Sequence, residues 1–254
     1  MGLKTLHRAL LIVCAGVVLA AMVAVMPATA TTGGLQLTVS RKVPAAQAAS
    51  TKLYVYPPTA HPYGHSYTQW AVHFFQWWAA IPASQNPWLD KSGAHCAQGQ
   101  SGPVWYLLNG IVNGTTVRAC TVPAGKALII DDGLGECSTV EGNGTTFQVL
   151  RACVKSYGPA TKAYVTVDGV RITNVVTSYQ FWTPLYTFNY PAGSIFSTPN
   201  GKQVPGSGTS KSVGEVWMVI LAPLGVGQHT VELYTNDPHL KWVGDVTYHL
   251  TVRG

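Results

Sequence analysis

Apolar positions along the chain follow two rhythms. Tyr67, Trp70, Phe74, Trp77 and Trp78 recur at three- and four-residue steps, the period of one helix face. Ser66 is placed to cap the start and Pro82 to stop the run, so the pattern predicts a tryptophan-rich helix over residues 66–80. A weaker version, with Phe147, Leu150 and Val154 on one side, predicts a second short helix over residues 145–155. Elsewhere the apolar runs are short and β-branched or aromatic: residues 104–108, 116–122, 126–130, 163–167, 170–172, 179–188 (broken by Pro184), 229–234 and 245–252. In the last of these Val246, Tyr248, Leu250 and Val252 alternate with Asp245, Thr247, His249 and Thr251, the mark of a half-buried strand. Residues 216–221 are apolar on both phases and predict a central strand covered on both faces.

Turn chemistry punctuates these runs. Asp168-Gly169 is the strongest short hairpin signal, while Asn109-Gly110 and Asn113-Gly114 also read as hairpin turns. Pro123-Ala124-Gly125 reads as a turn between two strands. Residues 189–214, dominated by Gly, Ser, Pro, Thr and Asn, read as a long exposed excursion. Eight or nine short strands at this spacing predict a mainly β fold. Its expected form is an antiparallel, jelly-roll-like β-sandwich of residues 53–254, one domain with the two helices packed on it.

The first thirty residues change the picture from a plain β protein to an exported one. Lys4, His7 and Arg8 precede an apolar run from Ala9 to Met26, and Ala28-Thr29-Ala30 supplies small residues for cleavage after Ala30. An uncleaved anchor is the alternative, because about eighteen apolar residues approach the length that spans a bilayer. A lipid anchor on Cys14 fits less well, since bulky Val13 precedes it. Residues 31–52 then read as a flexible polar leader. Export puts the domain in a secreted or cell-envelope setting, touching a membrane only if the apolar segment is kept.

Four cysteines follow the signal: Cys96, Cys120, Cys137 and Cys153. An even number in an exported chain predicts two disulfides. Of the three pairings, Cys96 with Cys120 and Cys137 with Cys153 close the shortest loops around turn-rich segments. Removing residues 1–30 takes away Lys4 and Arg8 and leaves 14 basic against 10 acidic residues. The basic ones are scattered singly, which gives no nucleic-acid surface.

One set of residues carries a resemblance. Tyr63-Gly64, Tyr67, Trp70, Gln76-Trp77-Trp78, Asn86-Pro87, Cys96, Gly99-Gln100 and Val104-Trp105 open it, residues 120–128 and Glu136-Cys137-Ser138 continue it, and residues 245–250 close it. Across roughly residues 63–252 the chain resembles an uncharacterised family of exported bacterial proteins. The resemblance implies a secreted β-rich domain and no particular activity. In that family's pattern an aromatic, Pro-containing segment would follow the strand at Ala127-Leu128, where this chain has Asp131 and Asp132. A role for those two aspartates would thus be this protein's own.

Candidate chemistry falls into three groups. Asp131, Asp132, Glu136 and Glu141 hold four of the ten carboxylates. They are the candidates for an acid–base pair or a calcium site, set against a solvated acidic loop beside Cys137. Trp88, Trp182 and Trp242 stand in turn-like contexts and are candidates for stacking on a ligand ring, whereas the helical tryptophans read first as core. Seven histidines follow the signal; His249, on the polar face of its strand with Asp245, is the candidate metal ligand. No Gly-x-Ser-x-Gly nucleophile elbow occurs. The leading expectation is therefore a non-catalytic exported domain binding an extracellular polymer, such as polysaccharide, or an envelope component. A carboxylate-dependent hydrolase, with or without calcium assistance, and a histidine-based metal protein are the alternatives.

Overall fold

The structure is a computed structural model that describes residues 53–198 and 200–254. The export signal, Cys14, the cleavage point after Ala30 and the leader lie outside the described residues. Among the described residues ten strands form two five-stranded sheets. In the first, β1 (Val104–Leu108), β3 (Ala127–Ser138) and β8 (Gly208–Leu221) lie side by side, and both β6 (Gln180–Trp182) and β7 (Tyr186–Tyr190) pair with β8. In the second, the order is β2 (Gly114–Pro123), β10 (Trp242–Arg253), β9 (Gly227–Asp237), β4 (Lys162–Val167), β5 (Val170–Ile172).

Leu107, Leu128, Ile130, Val219 and Leu221 from the first sheet share one core cluster with Val165, Val231, Leu233, Val246 and Leu250 from the second. The other face of the first sheet is covered by α1 (Tyr67–Ala79). Tyr67, Trp70, Phe74, Phe75 and Trp78 of that helix pack on Val104, Ile129, Val216, Met218 and Ile220. This is why β8 is apolar on both phases: each side chain has a layer to enter. Phe75 lies against Gly214 of β8, where no side chain stands between ring and strand.

Helix α1 starts where the sequence places it. Ser66 Oγ accepts from the Gln69 amide at 3.3 Å, and Gln69 Oε1 accepts from the Ser66 amide at 2.8 Å, so two helix-end donors are satisfied reciprocally. Replacing Ser66 by alanine should cost about 1 kcal/mol, read as a lower urea midpoint with an unchanged slope. The second predicted helix is α2 (Phe147–Lys155), capped by Thr146. A third, the short α3 (Val175–Ser178), had no sequence signal. Disulfides join Cys96 to Cys120 and Cys137 to Cys153, the expected pairs. Among the described residues no helix is long and apolar enough to cross a membrane.

Several local readings are corrected. Asn109-Gly110 and Asn113-Gly114 do not make hairpins: the five residues between β1 and β2 carry the chain from one sheet to the other. The Pro123-Ala124-Gly125 turn crosses back in the same way. As a result β1 pairs with β3, and β2 with β10, in parallel, within a fold expected to be antiparallel. Residues 189–214 are not a free excursion, because Phe196 and Val204 are buried under α1 and β8 already begins at Gly208. The Asp168-Gly169 hairpin forms as read, with both residues at positive φ.

Candidate functional site

The strand β3 runs on through the acidic residues that the sequence placed at its end. Pairing with β8 shifts register between Asp131 and Gly133, so Asp132 is the extra residue of a bulge. A bulge re-aims side chains, and here it leaves two consecutive aspartates inside the protein, 1% and 0% exposed. The solvated acidic loop weighed from sequence is thereby excluded for this pair.

Asp131 faces a cavity of about 160 Å³ between the end of β1 and the turn from β9 to β10. Trp88, Trp217 and Trp242 wall it, with Ile111, Leu134 and Leu240 completing the apolar surface. Asn109, Thr235 and Asp237 supply the remaining polar groups. Two glycines let the surrounding side chains pack closely. A β-carbon on Gly244 would sit 2.3 Å from both Asn109 Oδ1 and the Trp242 ring, and one on Gly133 would press at 3.3 Å on Thr235. Trp242 Nε1 donates to the Ile111 carbonyl at 3.4 Å, which holds the indole over the cavity. Trp88 is braced edge-on by Trp78, ring centres 5.3 Å apart.

The polar groups are poorly satisfied for their depth. Asp131 Oδ1 accepts from the Gly133 amide at 2.9 Å, yet burial outweighs that bond and pushes its carboxyl up to about 8. Asp132 is held well above the usual carboxylate range by burial, and the neighbouring Asp131 adds to the effect. Neither carboxylate oxygen of Asp132 has a hydrogen-bond partner. Its main-chain carbonyl accepts from the Thr235 hydroxyl and from Asn109 Nδ2 at 3.1 Å. That second bond fixes the Asn109 amide so that Oδ1, also without a partner, is the end left over. Trp217 Nε1 is a buried donor with nothing to donate to. Unpaired buried polar groups each cost on the order of 1–3 kcal/mol, so their concentration around one cavity marks it as the candidate site.

A buried cation lies behind it. Arg118, 1% exposed, donates from Nη1 to the Leu108 carbonyl at 2.8 Å and the Tyr248 hydroxyl at 2.7 Å. Its Nη2 fills the place a Gly110 side chain would need.

The other sequence candidates lie elsewhere. Glu136 and Glu141 form a second group, Glu136 buried and Glu141 partly so: Ser212 donates to Glu136, and Ser138 donates to Glu141 at 2.7 Å. Burial and the charge of Glu141 hold Glu136 well above its ordinary range, and burial raises Glu141 too. The four-carboxylate cluster is thus divided, the two halves about 16 Å apart along β3 at the strand rise. Trp182 carries the Arg151 guanidinium 4.5 Å from its ring centre and takes no part in the cavity. His249 is exposed on β10, and Asp245, about 13 Å away on the same strand, accepts from Thr115 Oγ1 at 3.1 Å. Among the described residues no three His, Cys, Asp or Glu side chains converge on a point that could hold a metal ion. The structure therefore brings together Asp131, Trp88 and Trp242, with Asp132 directly behind, and leaves out Trp182, Glu136, Glu141, Asp245 and His249.

No protein-family model matches this chain, and no curated protein does. A solved structure, that of PbICP-C in complex with falcipain-2, is similar over 58% of this chain and 98% of its own at 11% identity. Its TM-score is 0.25, too low to carry an argument. The site must be read from its own chemistry.

Sequence reasoning missed Asn109, Trp217, Thr235 and Asp237. By sequence Asn109 reads as a turn residue and Trp217 as part of a core strand, and both readings are locally sound. Thr235 and Asp237 sit at the end of β9, beyond the alternating run that marked it.

Proposed function

We propose that the chain is an exported β-sandwich domain, jelly-roll-like in its crossings, that binds one ring-sized end unit of an extracellular polymer such as polysaccharide without cleaving it. The observation that carries this is the convergence of Trp88, Trp217 and Trp242 with Asp131 and Asn109 around a cavity of about 160 Å³. A dry cavity of about 150 Å³ holds a benzene molecule, so this one takes a single six-membered ring and excludes a chain running through it. Indole faces supply flat apolar contact, and a few buried polar atoms fix orientation. The two disulfides and the export signal fit an extracellular setting.

Affinity electrophoresis of the purified protein against a polysaccharide panel tests the reading. Retardation is expected on at least one polymer. It should weaken about tenfold in Trp242→Ala, the loss of about 1.4 kcal/mol of stacking, and stay unchanged in Trp182→Ala. Absence of retardation on every polymer removes the proposal, as does equal retardation of Trp242→Ala.

One observation favours hydrolysis as a second reading: with its carboxyl at about 8, Asp131 is protonated at neutral pH and suited to act as a general acid. Against it, Asp132 does not line the cavity, and the second carboxylate that does, Asp237, is already engaged by the His239 and Leu240 amides at the turn after β9. Release of new reducing ends on prolonged incubation, abolished in Asp131→Asn, would establish hydrolysis in place of binding.

A further inference from the structure

Resting on the reading above, we infer that the ring taken by the tryptophan-walled cavity is positively charged, an amino sugar with a free amine whose ammonium meets Asp131. The donor and acceptor count supports this. A neutral sugar presents hydroxyls that both give and accept, and it needs donors from the protein as well as acceptors. Once Asp131 is ionised, the polar side-chain atoms that line the cavity are nearly all acceptors. Asn109 Oδ1 is free because its amide nitrogen is committed to the Asp132 carbonyl. Asp131 keeps one oxygen beyond the bond from Gly133, and Asp237 keeps one beyond the bonds its Oδ1 accepts from His239 and Leu240. Thr235 has given its hydroxyl proton to the Asp132 carbonyl. The donors left without a partner around it, Trp217 Nε1 and Arg118 Nε and Nη2, are all closed off from water and out of a ligand's reach. An ammonium group, three donors and no acceptor, fits such a set.

The walls select in the same direction, since the face of an indole attracts a cation. Among the described residues no lysine, arginine or histidine lines the cavity. The charged and titratable groups around Asp131 are Asp132 on its own strand, Asp237 at the end of β9, Tyr248 on β10 and Arg118 on β2. Arg118 is the one cation among them; it is buried behind Gly110, with Nη1 committed to the Leu108 carbonyl and the Tyr248 hydroxyl, and it does not itself line the cavity. Burial also keeps Asp131 protonated up to about pH 8. Taking an ammonium therefore releases one proton from Asp131 to solvent at lower pH, and affinity rises with pH by up to tenfold per unit until about pH 8.

Isothermal titration of the purified protein with glucosamine, glucose, N-acetylglucosamine and choline at pH 6 and pH 7.5 tests this. Glucosamine is expected to bind at least tenfold more tightly than glucose or N-acetylglucosamine at pH 7.5. Its affinity should fall at least tenfold at pH 6, and buffers of different ionisation heat should report proton release at that pH. In Asp131→Asn the preference and the pH dependence should both disappear. Equal binding of all three sugars overturns the charge inference and leaves the sugar-binding reading standing. Choline bound with no sugar bound keeps the charge and removes the sugar, and binding of none of the four overturns both.

Discussion

Replacing Asp131 with asparagine should leave stability almost unchanged at pH 4 and raise it on the order of 5 kcal/mol at pH 8. The unfolded chain gives up the Asp131 proton near pH 4, whereas the folded protein, having buried the carboxyl, keeps it to about pH 8. Between those values the native state binds the extra proton, so stability from this group is fullest at acid pH and is lost as pH rises towards 8. Above 8 it changes no further. Asparagine does not titrate, can accept the Gly133 amide bond through its own oxygen, and removes the slope. Urea unfolding of both proteins at pH 4, 6 and 8 should show midpoints that diverge with pH, and parallel midpoints would refute a buried Asp131. Glu136 and Glu141 act in the same direction in both proteins, so the difference isolates the one residue. A chain that keeps an aspartate at this cost has kept it for something other than stability.

The second large effect is expected from Gly214→Ala. A β-carbon there would lie 2.4 Å from Cε2 and 2.5 Å from Cζ of Phe75. The ring has no room to retreat: Phe75 is fully buried, stacked on Tyr186 at 5.8 Å, with Trp78 at 6.2 Å. Overpacking of this kind typically costs 1–3 kcal/mol; with the clash on an immovable ring in the central strand, about 3 kcal/mol or more is expected. Phe75→Leu alone should be destabilising through the cavity it leaves, but in the Gly214→Ala background it should recover part of the loss. A coupling of about 1–3 kcal/mol between the two sites would confirm direct contact, and simple additivity would refute it.

How far the chain could be read depended on whether each signal was local. Helix α1 was legible because its period, its Ser66 cap and Pro82 all lie within twenty residues. The alternation of β10, the doubly apolar core of β8 and the two short disulfide loops were legible for the same reason. Sheet membership was not. Asn109-Gly110 has hairpin chemistry, but whether the next strand returns beside β1 or crosses to the other layer depends on strands more than a hundred residues away. The candidate site shows the same division. Asp131, Trp88 and Trp242 could be picked out by residue type, but not their convergence. Charged residues are rarely buried without a partner, so sequence favoured a surface loop for the aspartates, and a one-residue bulge put them inside.

The parallel pairing of β2 with β10 governs the order in which the fold can assemble. Residues 114–123 have no strand partner until residues 242–253 arrive, a separation of about 130 positions. Closing so distant a contact is slow and leaves an unpaired edge open to wrong partners meanwhile. The Cys96–Cys120 bridge spans only 24 positions and can form long before. It tethers β2 beside Ser92, whose carbonyl accepts the Ala119 amide at 2.9 Å. In an oxidising compartment that bridge acts as a placeholder for a strand still to come, and a reducing one would leave β2 exposed for the whole interval.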